Sequence, residues 1–409
     1  MTHDTTLHVS LAPAARRAPA APVACAALLD PRGARVILGE SSDPLGLARP
    51  VVPSATSLFG PRGACAAPDG TLWVSDTGHH RVLGWRGTPT RDNTPADILL
   101  GQPAFDREGR NARGNPSALS MNVPTGIAVC GERGEGLAVA DAWNHRVLIW
   151  QTRPTRSFQP PDVVLGQADF EGGESNRGAN HPNASTLFWP YCVGWDGARL
   201  WVADTGNRRV LRWDGLPQRH GEAASLVLGQ PDFDQRDENG GGAPTAASLR
   251  WPHALTFPPD GLCIADAGNN RLMLWRRSPR ANNAPCDGVV GQAGTTGVEH
   301  NQGSYYPDAA CLNMPYGATL AGQTLIVADT ANSRLLAWRI DALNAPGANA
   351  IALAAQADWN SKGDNRWLPA ARDSVCWPYS VAMLGTDTLL VADSGNNRVQ
   401  LWALAGAAA

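Results

Sequence analysis

Leu200-Trp201-Val202-Ala203 and Val210-Leu211-Arg212-Trp213 are short runs of β-forming residues, and the segment between them, Asp204-Thr205-Gly206-Asn207-Arg208-Arg209, is polar. Apolar runs on either side of an Asp-x-x-Asn-x-Arg turn composition predict two strands joined by a tight loop. Gly206 and Asn207 suit such a reversal, which usually needs a positive φ that Gly tolerates freely and Asn better than most residues. The same hairpin recurs at 76–81, 141–146, 266–271, 329–334 and 393–398, and a closing tryptophan stays in phase at Trp85, Trp150, Trp213, Trp275, Trp338 and Trp402. His79 replaces Asn in the first copy, and Trp143 and Ala331 replace Gly in the second and fifth, so different loop shapes are expected there.

The leading aspartates, Asp76, Asp141, Asp204, Asp266, Asp329 and Asp393, lie 65, 63, 62, 63 and 64 residues apart. A period that steady marks an array of one supersecondary unit that cannot bury its faces alone. Two further signals share the phase. Ahead of each hairpin a proline opens a small-residue and apolar run, at Pro61, Pro124, Pro190, Pro252, Pro315 and Pro378. Behind it an apolar run ends in Gly-Gln, at Gln102, Gln167, Gln230 and Gln292, with Ala355-Gln356 as the deviant copy. Each repeat is therefore a four-stranded antiparallel sheet, the blade of a propeller. The sixth copy has no fourth strand behind Trp402, but residues 34–40 match that strand and Glu40 lies 62 residues before Gln102. An open ring would expose unpaired edges. The sequence thus predicts an all-β, six-bladed β-propeller closed by residues 34–40, with 23–409 as a single domain, Val23 to Leu29 packing on the ring, and 1–22 as a flexible Ala/Pro-rich arm.

The Leu-x-Val-Ala-Asp-x-x-Asn-x-Arg-Val core and the following Leu-Gly-Gln-Pro-Asp-Phe at 228–233 resemble the signature of the NHL-repeat family. The resemblance extends over roughly residues 34 to 409 and recurs six times. It implies a six-bladed propeller and leaves activity open, since similar propellers serve as protein platforms, RNA-binding modules and lyase or hydrolase domains.

Composition narrows this. No stretch is long and apolar enough to span a membrane. Eight cysteines with no CxxC spacing read as free, mostly buried thiols in a reducing compartment, so a cytoplasmic location is expected. The net charge is −3, and the linkers between blades sum to −5. That charge repels phosphate, which makes nucleic acid an unlikely partner and RNA binding the third of three readings.

Chemistry needed once should not be encoded six times. The repeated Asp, Asn and Arg are read as architecture, with Asp accepting loop N–H groups and Arg bonding carbonyls or carboxylates. Residues that differ between copies carry any specificity. The position after each first-strand proline, expected at the mouth of the central channel, holds Arg62, Thr125, Tyr191, His253, Tyr316 and Tyr379, and Trp189, Trp251 and Trp377 stand just ahead of the proline. Aromatic residues in a concave site give large contact area at low entropy cost. The bland alternative is that the tryptophans stack over proline and pin the linkers. The binding candidates are Arg62, Trp189, Tyr191, Trp251, His253, Tyr316, Trp377 and Tyr379, and the function expected is a non-enzymatic protein-interaction platform or accessory subunit, with a small-molecule ligand as a further candidate. A metal-dependent lyase or hydrolase is the alternative, with His253 as base or ligand, but no acidic residue stands at the mouth. Zinc wants three or four ligands, which His253 lacks unless Cys192, Cys311 or Cys376 approach it, and calcium stays open only through linker Asp and Asn oxygens, since no loop has an EF-hand-like spacing. No catalytic residue and no cofactor are therefore assigned.

Overall fold

The computed structural model describes residues 25–39, 51–342 and 347–406, and the strands form six sheets. The innermost strands are Gly63–Ala66, Pro124–Cys130, Pro190–Trp195, Pro252–Thr256, Pro315–Ala321 and Pro378–Leu384. Each packs beside the next, and the sixth packs beside the first, so the ring is closed. Outward in each blade follow the second and third strands of the hairpin, such as Leu200–Asp204 and Arg209–Trp213, and then a short fourth strand such as Leu226–Leu228. Apolar faces of neighbouring blades interdigitate: Val82 and Leu100 of the first blade share a core with Val139, Leu148 and Trp150 of the second. No blade has a complete core of its own, as the repeat logic requires.

Closure is made by the N-terminal segment. Val36–Leu38 pairs antiparallel with Arg398–Ala403, completing the sixth blade, and Arg35 N–H donates to Leu401 O at 2.9 Å. Glu40, the last residue of the expected strand, lies outside the described residues, as does the arm over 1–22. In every blade the indole N–H of the closing tryptophan caps a carbonyl beyond the third strand, as Trp213 Nε1 does to Glu222 O at 2.9 Å. For Trp402 that carbonyl is Asp30 O, at 2.8 Å, so the two ends of the chain complete one blade between them. Ahead of this strand, Ala26–Ala27 joins the fifth blade as a fifth strand, parallel to Ala352–Ala354.

The repeated hairpin turn is a single 3-10 turn followed by one left-handed residue: His80, His145, Arg208, Asn270, Ser333 and Asn397 have φ between 50° and 55°. The position needing positive φ is thus the residue after the Asn or its replacement, not Gly206 or Asn207. Gly206 is required for close approach instead, because a Cβ there would lie 2.4 Å from Phe188 O. Trp143 and Ala331 leave the turn unchanged in shape, contrary to the expectation of altered loops; the Trp143 side chain simply turns outward.

The aspartate of each turn is fully buried and saturated. Asp204 Oδ1 accepts Phe188 N–H at 2.7 Å, and Oδ2 accepts Asn207 Nδ2 at 2.7 Å and Arg209 Nε at 2.8 Å. Arg209 spends its remaining donors on Asn183 O and Thr186 O of the preceding linker and Phe233 O of the following one. One guanidinium therefore ties a hairpin to the linkers on both sides, which explains its presence in all six copies. Where His79 replaces Asn, Nδ1 meets Asp76 Oδ2 at 2.8 Å and Nε2 meets Val51 O at 3.0 Å.

Candidate functional site

In the third to sixth blades the residue after the first-strand proline reaches the channel because the strand bulges there. Pairing slips between Pro190 and Cys192, Pro252 and Ala254, Pro315 and Gly317, and Pro378 and Ser380, leaving Tyr191, His253, Tyr316 and Tyr379 as the extra residues. A bulge re-aims its unpaired side chain. Here the four rings turn into the channel and pack on one another. Centroids lie 4.2 Å apart for Tyr191 and His253, 4.3 Å for the stacked His253 and Tyr316, and 4.8 Å for Tyr316 and Tyr379. Tyr191 also lies 6.3 Å from Tyr316, two blades away, so the rings reach across the axis. The Arg62 guanidinium lies over Tyr379, 4.8 Å from the ring centroid, and interacts electrostatically with Tyr191 and Tyr316 as well.

Tyr191 and His253 are recessed, at 3% and 5% exposed, and Arg62, Tyr316 and Tyr379 are half-buried. Thr125 is buried and donates to Tyr191 O at 2.8 Å, a link between blades. Among the tryptophans ahead of the prolines, Trp189 stands edge-on to Tyr191 at 6.0 Å, Trp251 is half-buried under the Arg250 guanidinium, and Trp377 is 51% exposed. The structure thus brings Arg62, Tyr191, His253, Tyr316 and Tyr379 together as one layer, with Trp189 at its edge, and leaves Trp377 outside on the linker face.

Behind that layer lies a cavity of about 460 Å³. Its wall is built from the innermost strands and is mostly small, with Ala64, Gly126, Ala254, Gly317 and Ala318 among the lining residues. The lining carboxylate, Asp196, is occupied by Ala198 N–H, Arg199 N–H and Trp201 Nε1. Burial pushes the lining thiols up, Cys65 to about 12 and Cys192 to about 11, so neither is a thiolate at neutral pH.

His253 Nδ1 lies 3.0 Å from Trp251 O, which fixes the proton on Nδ1 and leaves Nε2 as an acceptor. Burial lowers its pKa to about 4, against the bond to Trp251 O, and Arg62 lowers it further, so the ring is neutral near pH 7. Burial likewise pushes the Tyr191 and Tyr316 phenols well above their usual range. Among the described residues no three His, Cys, Asp or Glu side chains converge as a metal-ligand set. Cys192 lines the cavity, but Cys311 and Cys376 belong to linkers.

Sequence reasoning did not single out the linker asparagines. Asn111, Asn176, Asn239, Asn301 and Asn365 each face the turn asparagine of the following hairpin, as in Asn176 Nδ2 to Asn207 Oδ1 at 3.0 Å and the reverse bond at 2.9 Å. They recur 30 to 33 residues ahead of their partners, a phase visible in the sequence.

A closed ring of six four-stranded blades with a recessed aromatic and cationic layer at one end of its channel defines a β-propeller with a built channel site. Residues 60–85 match the family described as NHL repeat, and the same hairpin recurs in phase in every blade of the six-bladed propeller. A comparison with curated protein sequences gives no match. Among solved structures, the chain is similar to Kuenenia stuttgartiensis hydrazine synthase, with 13% identity, TM-score 0.47, and coverage of 86% of this chain and 97% of that one. It is also similar to a streptogramin B lyase, at 10% identity and TM-score 0.42 over 86% of this chain and 95% of that one. A Bacteroides thetaiotaomicron protein of unknown function matches at 12% identity and TM-score 0.45 over 86% and 71% of the respective chains.

Proposed function

We propose that this propeller is a protein-binding platform whose linker face docks another protein. One observation carries the reading. Of the eleven large apolar side chains that the described residues expose, Val52, Phe59, Leu119, Trp143, Tyr305, Tyr306, Trp367, Leu368 and Trp377 belong to linkers or hairpin turns, which share one face; Phe158 and Ile351 do not. Exposed apolar surface concentrated on one face marks an interaction site.

Part of it is contiguous. Tyr305 and Tyr306 pack edge to face at 4.9 Å, and Lys362 Nζ lies 3.6 Å from the Tyr305 ring centroid while donating to Tyr305 O at 2.7 Å. The Trp367 indole lies against Gly363, beside that lysine. Tyr305 is 69% and Trp367 76% exposed, as fits aromatic anchors awaiting a partner. The linkers' charge of −5 favours a partner with an apolar centre and a basic rim, and disfavours RNA. The free thiols of Cys65, Cys130, Cys192, Cys263, Cys286, Cys311 and Cys376 support a reducing compartment such as the cytoplasm.

The test is affinity capture with the full chain, its Tyr305→Ser/Trp367→Ser double variant and a Phe158→Ser control on the opposite side. A partner that co-purifies stoichiometrically with wild type and the control, and at least about tenfold less with the double variant, is the expected result. Equal recovery by all three proteins overturns this surface.

A further inference from the structure

The cavity behind the aromatic layer contains a charge that no carboxylate among the described residues balances. Each of the six turn arginines, Arg81, Arg146, Arg209, Arg271, Arg334 and Arg398, has its own aspartate within 3.0 Å. Arg62, half-buried in the channel, has no carboxylate partner among the described residues; its electrostatic neighbours are the rings and hydroxyls of Tyr191, Tyr316 and Tyr379. A partly desolvated cation is stabilised when an anion and hydrogen-bond acceptors come with it. Beside it, the Tyr191 hydroxyl is buried with Arg62 against its oxygen and no acceptor for its own proton among the described residues.

We infer that the channel binds a small organic monocarboxylate, with its carboxylate against the Arg62 guanidinium and the Tyr191 hydroxyl and its apolar body in the cavity behind them. A carboxylate offers two oxygens in one plane, which suits a guanidinium on one side and an O–H donor on the other. Cavity size limits the body: about 460 Å³ lies near the lower end of small-molecule sites, and the alanine and glycine part of the wall offers a flat ring or a short chain apolar contact. With Asp196 paired to Arg199 at 3.0 Å and His253 neutral, Arg62 supplies one uncompensated positive charge, which matches a monoanion better than a dianion such as phosphate. This site is independent of the exposed linker face, so docking and ligand binding can fail separately.

Isothermal titration and thermal melting of the full chain test it, using benzoate and propionate as probes, benzyl alcohol as the uncharged counterpart of benzoate, and inorganic phosphate as a bare anion. Saturable binding of one benzoate or propionate per chain with a rise in melting temperature is expected, with neither effect from benzyl alcohol or phosphate. Arg62→Gln should weaken carboxylate binding by about tenfold or more, because it removes a charge-assisted contact. If Arg62→Gln does not melt cooperatively, Tyr191→Phe, which removes one oxygen, should still weaken binding about threefold to tenfold. No saturable carboxylate binding to wild type, binding unchanged in whichever variant folds, or equal binding of phosphate each overturns the inference.

Discussion

The left-handed residue after each hairpin turn sets up a small acid switch. Its side chain accepts the backbone N–H of the residue ahead of the next blade's proline. His80 Nδ1 accepts from Val123 and His145 Nδ1 from Trp189, each at 3.0 Å; Asn270 Oδ1 accepts from Met314 at 2.8 Å and Asn397 Oδ1 from Gly60 at 2.9 Å. Arg208 cannot accept, and there the chain differs: Trp251 N–H turns to Asp266 Oδ1 at 3.2 Å, while Val123, Trp189, Met314 and Trp377 adopt positive φ and Trp251 does not. A histidine in this role must keep Nδ1 unprotonated. Burial lowers the His145 pKa to about 4, from the ordinary 6.5, and lowers that of His80 as well. A depressed histidine pKa adds stability that is complete above pH 6.5 and is lost as the pH falls toward the folded value, because the unfolded chain takes up the proton first. His79 acts the other way: burial opposes it, but the bond and charge of Asp76 raise its pKa, so its contribution fades as the pH rises. His145→Asn places at this position the acceptor already used at Asn270 and Asn397. Between pH 7 and 5 the variant should lose less stability than wild type, by about 1–2 kcal/mol, in urea titrations across that range. Parallel pH profiles would show that His145 does not titrate as described.

At the scale of the element, the fourth strand and the linker after it are fitted to each other. Its terminal glycine has positive φ in the first four blades, and a Cβ on Gly166, Gly229 or Gly291 would lie within 3 Å of Leu187, Leu249 or Leu312 in the linker. The fifth blade has Ala355 at that place, with φ 72°, and the facing residue is Val375, one methylene shorter than leucine. The alanine methyl and the shortened side chain compensate. Val375→Leu alone should therefore crowd Ala355 and destabilise by about 1–2 kcal/mol, and Ala355→Gly alone should trade relief of backbone strain against a void. The double variant restores the pattern of the other blades and should be more stable than the sum of the single changes by about 1 kcal/mol or more, measured as a double-mutant cycle in chemical denaturation. Additive effects would mean that the two sites do not touch. Pairings of this kind mark the limit of what sequence shows. Strand order, blade number and the architectural role of Asp, Asn and Arg follow from phase alone, and the linker asparagines share that phase. The bulge that aims Tyr191 and His253 inward, the neutrality of His253 and the lack of a carboxylate beside Arg62 among the described residues come from what lies opposite each residue in the ring, and opposition across a channel has no period along the chain.

At the scale of the whole molecule, stability depends on a few residues far from the rest in sequence. Val36–Leu38 supplies the fourth strand of the sixth blade, Asp30 O caps Trp402, and Arg372 binds the carbonyls of Ala34 and Arg35 while pairing with Asp92 at 2.6 Å. Asp92 in turn accepts Ile37 N–H at 2.9 Å, so the first, sixth and N-terminal segments are held at one junction. In an open array each unit answers only to its neighbours and can fray from either end. Closing the circle removes the ends and makes the six blades one cooperative unit. Deleting residues 1–40 should therefore expose the edge of 398–403, leave the Trp402 indole N–H unpaired, and either abolish cooperative melting or lower the midpoint by at least about 10 °C, with aggregation detected by light scattering. Deleting 1–22 leaves all of these contacts in place and should shift the midpoint by no more than about 2 °C. A soluble 41–409 fragment melting cooperatively near the full-length midpoint would mean that the ring holds without its N-terminal strand, and that the junction at Asp92 and Arg372 is incidental to it.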